Sequence, residues 1–221
     1  MKKNKNIIVE GISFDKQIFK ACGDYGVVRR AYFNADENEV VATDRGIMLV
    51  EKVENPTKQE SGYFDILAPT NTMQDRNGYL NGNDTKYSWI IENDWLSFPE
   101  YKRIFDYIGE EFDSDVILHE HFKWVYTDDI TVLSEDDWKL SSKNVKTYVY
   151  LPYIETVFDE KYFKIVSKWF DDFKNAKFYF DNPTGPLFIK QGNKTAVIMP
   201  MRVKLPTKYV RIEKRKAYII K

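Results

Sequence analysis

The most constraining stretch of this chain runs from residue 180 to residue 203. It reads as two short strands joined by a turn. Phe188-Ile189 is the apolar pair of the first strand, and Gln191-Gly192-Asn193-Lys194 is the polar turn. Thr195 to Met201 is the second strand, apolar and β-rich, and Pro200 fits only at its end or on an edge. By periodicity alone it is one hairpin in a mixed fold.

Ile7 to Phe14 reads as a strand. Asp15 can cap a short helix through about Cys22, ended by Gly23, with Phe14, Ile18 and Phe19 toward the core and Lys16 and Lys20 sharing the other face. Strands follow at Val27–Asn34, Glu39–Thr43, Ile47–Val53 and Tyr63–Ala68, broken by Asp36-Glu37-Asn38, Asp44-Arg45-Gly46 and Asn55-Pro56. Residues 69–86 are a loop or long hairpin tip, and Tyr87–Ile91 is a short strand. From Ser97, with Pro99 in the first turn, Tyr101, Ile104, Phe105 and Ile108 have helical spacing.

Val116–Leu118, Phe122–Thr127 and Ile130–Leu133 suggest a second meander, and 134–144 a polar junction. Tyr148–Leu151 is a strand. Phe158–Phe173 is the best helix: Tyr162, Ile165 or Val166, Trp169 and Phe173 line one face, and Lys161, Lys164 and Lys168 another. Lys177–Phe180 is a strand into the opening hairpin. The last stretch, from Lys204, is basic, but Tyr209, Val210, Ile212, Tyr218 and Ile219 can form strands. Three helix-plus-meander units result, near 7–67, 87–134 and 147–203.

The chain has 221 residues, enough for one large or two modest domains. Aromatics make up 16%, so Phe, Tyr and Trp should form much of the core. The net charge of −1 makes no demand for nucleic acid, although local basic patches fit within 30% charged residues. One cysteine, Cys22, excludes an intramolecular disulfide. No apolar run reaches the ~20 residues of a membrane span, and Ile7-Ile8-Val9 is too short for a secretory signal, so the chain is expected to be cytoplasmic with no membrane partner.

Some of the wording is more specific than its periodicity. Met199-Pro200-Met201-Arg202-Val203, preceded by Pro183-Thr184-Gly185-Pro186-Leu187-Phe188-Ile189, resembles the C-terminal end of the bacterial sliding clamp, the DNA polymerase III beta subunit. Val41-Ala42-Thr43-Asp44 resembles the Ala-Thr-Asp-Gly segment of clamp domains, with Arg45-Gly46 where the family has glycine first. Phe98-Pro99-Glu100-Tyr101-Lys102-Arg103-Ile104 resembles the phrase leading out of a clamp domain, which would make it a linker instead of a pore helix. The resemblance implies an α+β DNA-clamp fold of repeated β-α-β-β-β units, antiparallel sheets outside and helices lining one face. Domains are expected at 1–135 and 136–221, or one clamp domain with an insertion at about 69–145.

By that resemblance the chain is a polymerase processivity factor with no enzyme activity and no cofactor. It would encircle duplex DNA through phosphate contacts from Lys16, Lys20, Lys102, Arg103, Lys161, Lys164 and Lys168. Its other partners would be a DNA polymerase or other proteins carrying a clamp-binding peptide. The implied peptide pocket has Tyr162 as its gate, Thr184 and Pro186 in its wall, and Pro200, Met201, Arg202 and Val203 in its floor. Thr43 and Met48 join it from the other domain; Asp159 stands where the family has Asn. A six-domain ring would need a homotrimer of two-domain chains. The alternative is a clamp-fold interaction module that binds a partner protein without encircling DNA. Enzyme signatures are weak: His119-x-His121 lacks a third ligand, and Asp128-Asp129 and Asp136-Asp137 read as turns.

Overall fold

A computed structural model describes residues 6–67, 86–92, 97–112, 122–126, 146–151, 154, 156–201, 209–213 and 216–220. The strands begin with β1 (Asn6–Val9), β2 (Ile12–Asp15), β3 (Ala31–Asn34), β4 (Glu39–Thr43), β5 (Ile47–Lys52), β6 (Gly62–Leu67), β7 (Lys86–Ile91) and β8 (Glu110–Phe112). They continue with β9 (Phe122–Tyr126), β10 (Lys146–Leu151), β11 (Thr156–Asp159), β12 (Lys177–Phe180), β13 (Leu187–Gln191), β14 (Lys194–Ile198), β15 (Tyr209–Glu213) and β16 (Lys216–Ile220). Among the described residues the α-helix is α1 (Glu160–Trp169). The class is α+β. Two compact units form: Met1–Lys102 with Gly192–Ala196, and Arg103–Gln191 with Val197–Lys221. The expected boundary at 135/136, the 116–118 and 130–133 strands, the 134–144 junction and His119-x-His121 lie outside the described residues, as does nearly all of the 69–86 loop.

In the first unit the predicted strand 7–14 is two strands. Glu10 and Gly11 take φ of 50° and 84°, the mirror-image turn that closes a two-residue hairpin, so β1 folds back on β2 with Asn6 opposite Asp15. Gly11 is also required by space, since a Cβ there would lie 2.5 Å from Thr57 Cγ2. Asp15 caps as expected, its Oδ1 accepting from Gln17 N at 2.9 Å. The helix that follows, Lys16–Ala21, is a 3-10 helix. Ile18 and Ala21 are both fully buried, and residues three apart eclipse in that geometry. Lys16 and Lys20 are exposed, but four residues at three per turn place them about 120° apart, so they do not share one face.

A second 3-10 turn, Gly26–Arg29, shortens the predicted strand 27–34 to β3. β3 to β7 otherwise fall within a residue or two of their expected places, and the hydrogen-bonded order is β7-β6-β3-β4-β5-β14, with residues 194–196 of β14 in this unit. Aromatic rings fill the core. Phe64 lies 4.7 Å from Phe14 and 4.9 Å from Trp89, ring centre to ring centre. Phe14, Phe33 and Phe64 are wholly buried, each burial contributing roughly 1.5–3 kcal/mol.

The helix predicted from Ser97 to Ile108 is missing in its first half. Residues 97–101 have no helical structure, and a 3-10 helix covers only Lys102–Tyr107. Specific contacts hold the extended part. Phe98 stacks on Tyr32 at 4.8 Å, Tyr32 OH donates to Glu92 Oε2 at 2.7 Å, and Tyr101 OH donates to Glu39 Oε2 at 2.9 Å.

The second unit contains a five-stranded sheet, order β11-β10-β9-β15-β16. The basic tail supplies β15 and β16, paired from Tyr209–Ile220 to Glu213–Lys216. β12 pairs with β13 on one side and β8 on the other. α1 lies against β10 and β11 and buries Tyr162, Val166 and Trp169, as its spacing predicts. It is shorter than predicted at both ends: Phe158 and Asp159 belong to β11, Phe170 is the C-cap, and Phe173 begins a separate 3-10 turn.

Candidate functional site

Three of the segments assigned to peptide binding meet at β11. Asp159 ends that strand in extended conformation and caps α1, its Oδ1 accepting from Lys161 N at 2.9 Å. Tyr162 follows one turn later, buried, with Lys161 Nζ 4.4 Å above its ring. At the other end of β11, Thr156 Oγ1 bonds to Ile154 O at 2.7 Å and reaches Pro183 O at 3.2 Å. Pro183 opens the turn that carries Thr184 and Pro186. Asn182 shapes that turn, its Oδ1 accepting from Thr184 N at 3.1 Å and Thr184 Oγ1 at 2.8 Å. Thr184 is exposed and Pro186 buried. Between the two ends, Val157 O accepts from Met201 N at 2.7 Å. Pro200 and Met201 are half-buried. Arg202 and Val203 lie outside the described residues.

Thr43 and Met48 belong to the first unit, where they face each other across the β4–β5 turn. Thr43 Oγ1 donates to Ile47 O at 2.7 Å, and Met48 is buried. Arg45 takes φ of 75° at the position where the clamp phrase has glycine. Asp44 Oδ1 offsets that strain by accepting from both Gly46 N and Ile47 N at 2.9 Å.

The basic residues divide. Lys102 Nζ is 2.8 Å from Glu39 Oε2 and 3.2 Å from Glu37 Oε2. Its charge serves the first unit. Arg103 is exposed at the start of the second unit. Lys161, Lys164 and Lys168 are exposed along one side of α1, but Lys164 pairs with the buried Glu160 one turn back at 2.8 Å.

Spacing alone did not reveal Thr156 and Val157, whose roles depend on segments far away in the chain. The Glu39–Tyr101–Lys102 triad was missed too; its one signal is an acidic residue opening a β-rich run. Cys22 is half-buried, and burial followed by the charges of Asp65 and Asp44 pushes its thiol up to about 12, which leaves it a poor nucleophile. Among the described residues no His, Cys, Asp and Glu cluster could hold a metal ion, and no helix is long and apolar enough to cross a membrane.

No protein-family model matches the chain, and no curated protein matches it. Solved structures do. The DNA polymerase III subunit beta from Borrelia burgdorferi, in complex with a natural product, is 16% identical with a TM-score of 0.45, over 85% of this chain and 61% of that one. The Helicobacter pylori beta clamp bound to a DNA ligase peptide is 12% identical with a TM-score of 0.44, over 85% and 62%. The DNA polymerase III subunit beta from Pseudomonas aeruginosa is 11% identical with a TM-score of 0.45, over 85% and 64%. The chain therefore spans less than two thirds of the length of these proteins. The solved structures it is similar to are DNA polymerase III beta subunits, the sliding clamps.

Proposed function

We propose that this chain is a clamp-like DNA polymerase processivity factor without catalytic activity, which encircles duplex DNA and docks short peptides of partner proteins. The observation that carries this reading is the meeting of Tyr162, the Thr184–Pro186 turn and Pro200–Met201 at β11. These are the segments whose wording resembles the clamp's peptide site. A tyrosine, a methionine and two prolines on segments tied to one strand suit an extended apolar peptide. Arg202 and Val203, next in the chain, belong to the same proposed segment. Lys16, Lys20, Arg103, Lys161, Lys164 and Lys168 are proposed to face DNA phosphates, and Lys102 to do so only if it leaves Glu39.

A second reading is an interaction module that binds a partner protein and does not encircle DNA. It is favoured by the commitment of Lys102 and Lys164 to carboxylates and of Lys161 to the Tyr162 ring.

Two measurements test the proposal. Anisotropy with a labelled DNA ligase peptide, of the kind bound to the Helicobacter pylori clamp, should show saturable binding that Met201→Glu weakens by about tenfold or more. Unchanged affinity in the variant refutes the assigned site. Light scattering at several concentrations should give about three times 26.2 kDa. A monomer throughout, with the peptide still bound, replaces the first reading with the second.

A further inference from the structure

We infer that residues 98–102 are a strap seated on the sheet of the first unit as a bound peptide would be, held by side chains and displaceable without unfolding that sheet. The inference lies wholly within the first unit and does not depend on the proposed site at β11.

The seat is built from one side of the sheet. Neighbouring residues of a strand face opposite ways, so Tyr32 and Phe33 lie on opposite sides of β3, as do Tyr63 and Phe64 on β6. Phe33 and Phe64 close on the core that holds Phe14 and Trp89. Tyr32 and Tyr63 form the other side, with ring centres 5.3 Å apart. The strands beneath are complete without the strap, since β6, β3, β4 and β5 bond to one another in register. The polar groups around the seat are placed without it too. Tyr32 OH donates to Glu92 Oε2 at 2.7 Å. Asn34 Oδ1 accepts from Asp36 N at 3.1 Å and from Glu37 N at 3.2 Å, which fixes its amide.

The strap matches these groups one by one. Residues 97–101 form neither helix nor strand, so no backbone ladder ties them to the sheet. Phe98 lies on Tyr32, ring centres 4.8 Å apart and planes 7° from parallel, and its N–H reaches Glu92 Oε1 at 3.4 Å. Pro99 fixes its own φ and turns Phe98 away from helical backbone, which keeps the segment extended. Tyr101 then donates its hydroxyl to Glu39 Oε2 at 2.9 Å and accepts from Asn34 Nδ2 at 3.1 Å. Burial, and then the bond to Glu39, push that hydroxyl above its ordinary pKa, so it stays the donor. Lys102 Nζ reaches the same Glu39 oxygen at 2.8 Å and Glu37 Oε2 at 3.2 Å. The buried Glu39 carboxylate thus takes a hydroxyl and a cation from the strap together. A ring stacked at one end and a Tyr-Lys pair clamped by a carboxylate at the other is how a groove holds an extended peptide. The chemistry selected is an aromatic residue, two residues of spacer, then Tyr and Lys, and its occupant is Phe98-Pro99-Glu100-Tyr101-Lys102.

The test uses the full chain. Cys22, in the same unit, reports whether that unit stays folded, through slow alkylation. Trypsin cleavage after Lys102 reports opening of the strap. Tyr101→Phe and Glu39→Gln should each speed that cleavage about tenfold while Cys22 stays slow. The double variant Phe98→Ala, Tyr101→Ala leaves the seat intact and its occupant weakened. It should bind a labelled peptide of residues 97–102 saturably, and adding Glu39→Gln should weaken that binding about tenfold. The wild-type chain should not bind the peptide at micromolar concentration, because a tethered strap competes at an effective concentration of about millimolar. Cys22 alkylated in any of these variants at the rate seen in urea makes the segment part of the core and overturns the inference. So do unchanged cleavage in the single variants, a folded double variant that ignores the peptide, or a wild-type chain that binds it as tightly.

Discussion

Replacing Asp159 separates two contributions to the start of α1. The side chain accepts from Lys161 N at 2.9 Å, and it adds a negative charge where the helix has its positive end. Asp159→Ala removes both, the cap costing about 1 kcal/mol and the charge roughly 0.3–1 kcal/mol more. Asp159→Asn keeps a capping oxygen, so its cost is only the second, roughly 0.5 kcal/mol. Urea unfolding followed by tryptophan fluorescence reads this directly, since Trp169 is fully buried at the other end of α1. The expected order is wild type, Asn, Ala, with unchanged slopes against urea. At the proposed peptide site, affinity should follow the same order, because Tyr162 sits in the turn that the cap holds. An Asn variant as unstable as Ala, or an Ala variant as stable as wild type, refutes the capping argument.

Other expectations are equally concrete. Gly109→Ala places a Cβ 2.2 Å from the carbonyl carbon and oxygen of Phe180, so β8 must part from β12 at a cost of about 1–3 kcal/mol or more, visible as a lower melting temperature. Cys22, with its thiol pushed up to about 12, should react with iodoacetamide at pH 8 on the order of a thousandfold more slowly in the folded chain than in urea, and equal rates contradict its burial. Glu111 is held below its ordinary value by hydrogen bonds from Lys177 and then Tyr179. A depressed carboxylate stabilises above its unfolded pKa and loses that contribution as pH falls through its folded value. Amide signals of β12 should therefore shift on acidification, and Glu111→Gln should abolish the shift.

Much of the fold was legible because local rules and long-range packing agreed. The β4–β5 turn and the Gly192-Asn193 turn sit where polar residues interrupt β-rich runs, and the buried face of α1 follows its helical spacing. The misreadings occurred where one signal was weaker than a local competitor. At 7–14 the apolar alternation concealed the left-handed pair Glu10-Gly11. At 97–108 the helical spacing of Tyr101, Ile104 and Phe105 lost to the stacking of Phe98 on Tyr32 and the bond from Tyr101 to Glu39. The segments proposed to bind peptide were singled out only by their wording, and nothing in their spacing says that Thr156 and Val157 will bond to Pro183 and Met201. The basic residues were readable as charges but not as partners: Lys102 and Glu39 are 63 positions apart.

The inclusion of residues 192–196 in the first unit has a consequence for how the chain is made. Lys194 is 179 positions from Asp15, so the amino-terminal unit lacks a strand, and a buried anion lacks its counterion, until residue 194 has left the ribosome. Vectorial synthesis therefore gives this unit no head start: β5 waits with an open edge, the kind of edge that invites pairing with another nascent chain.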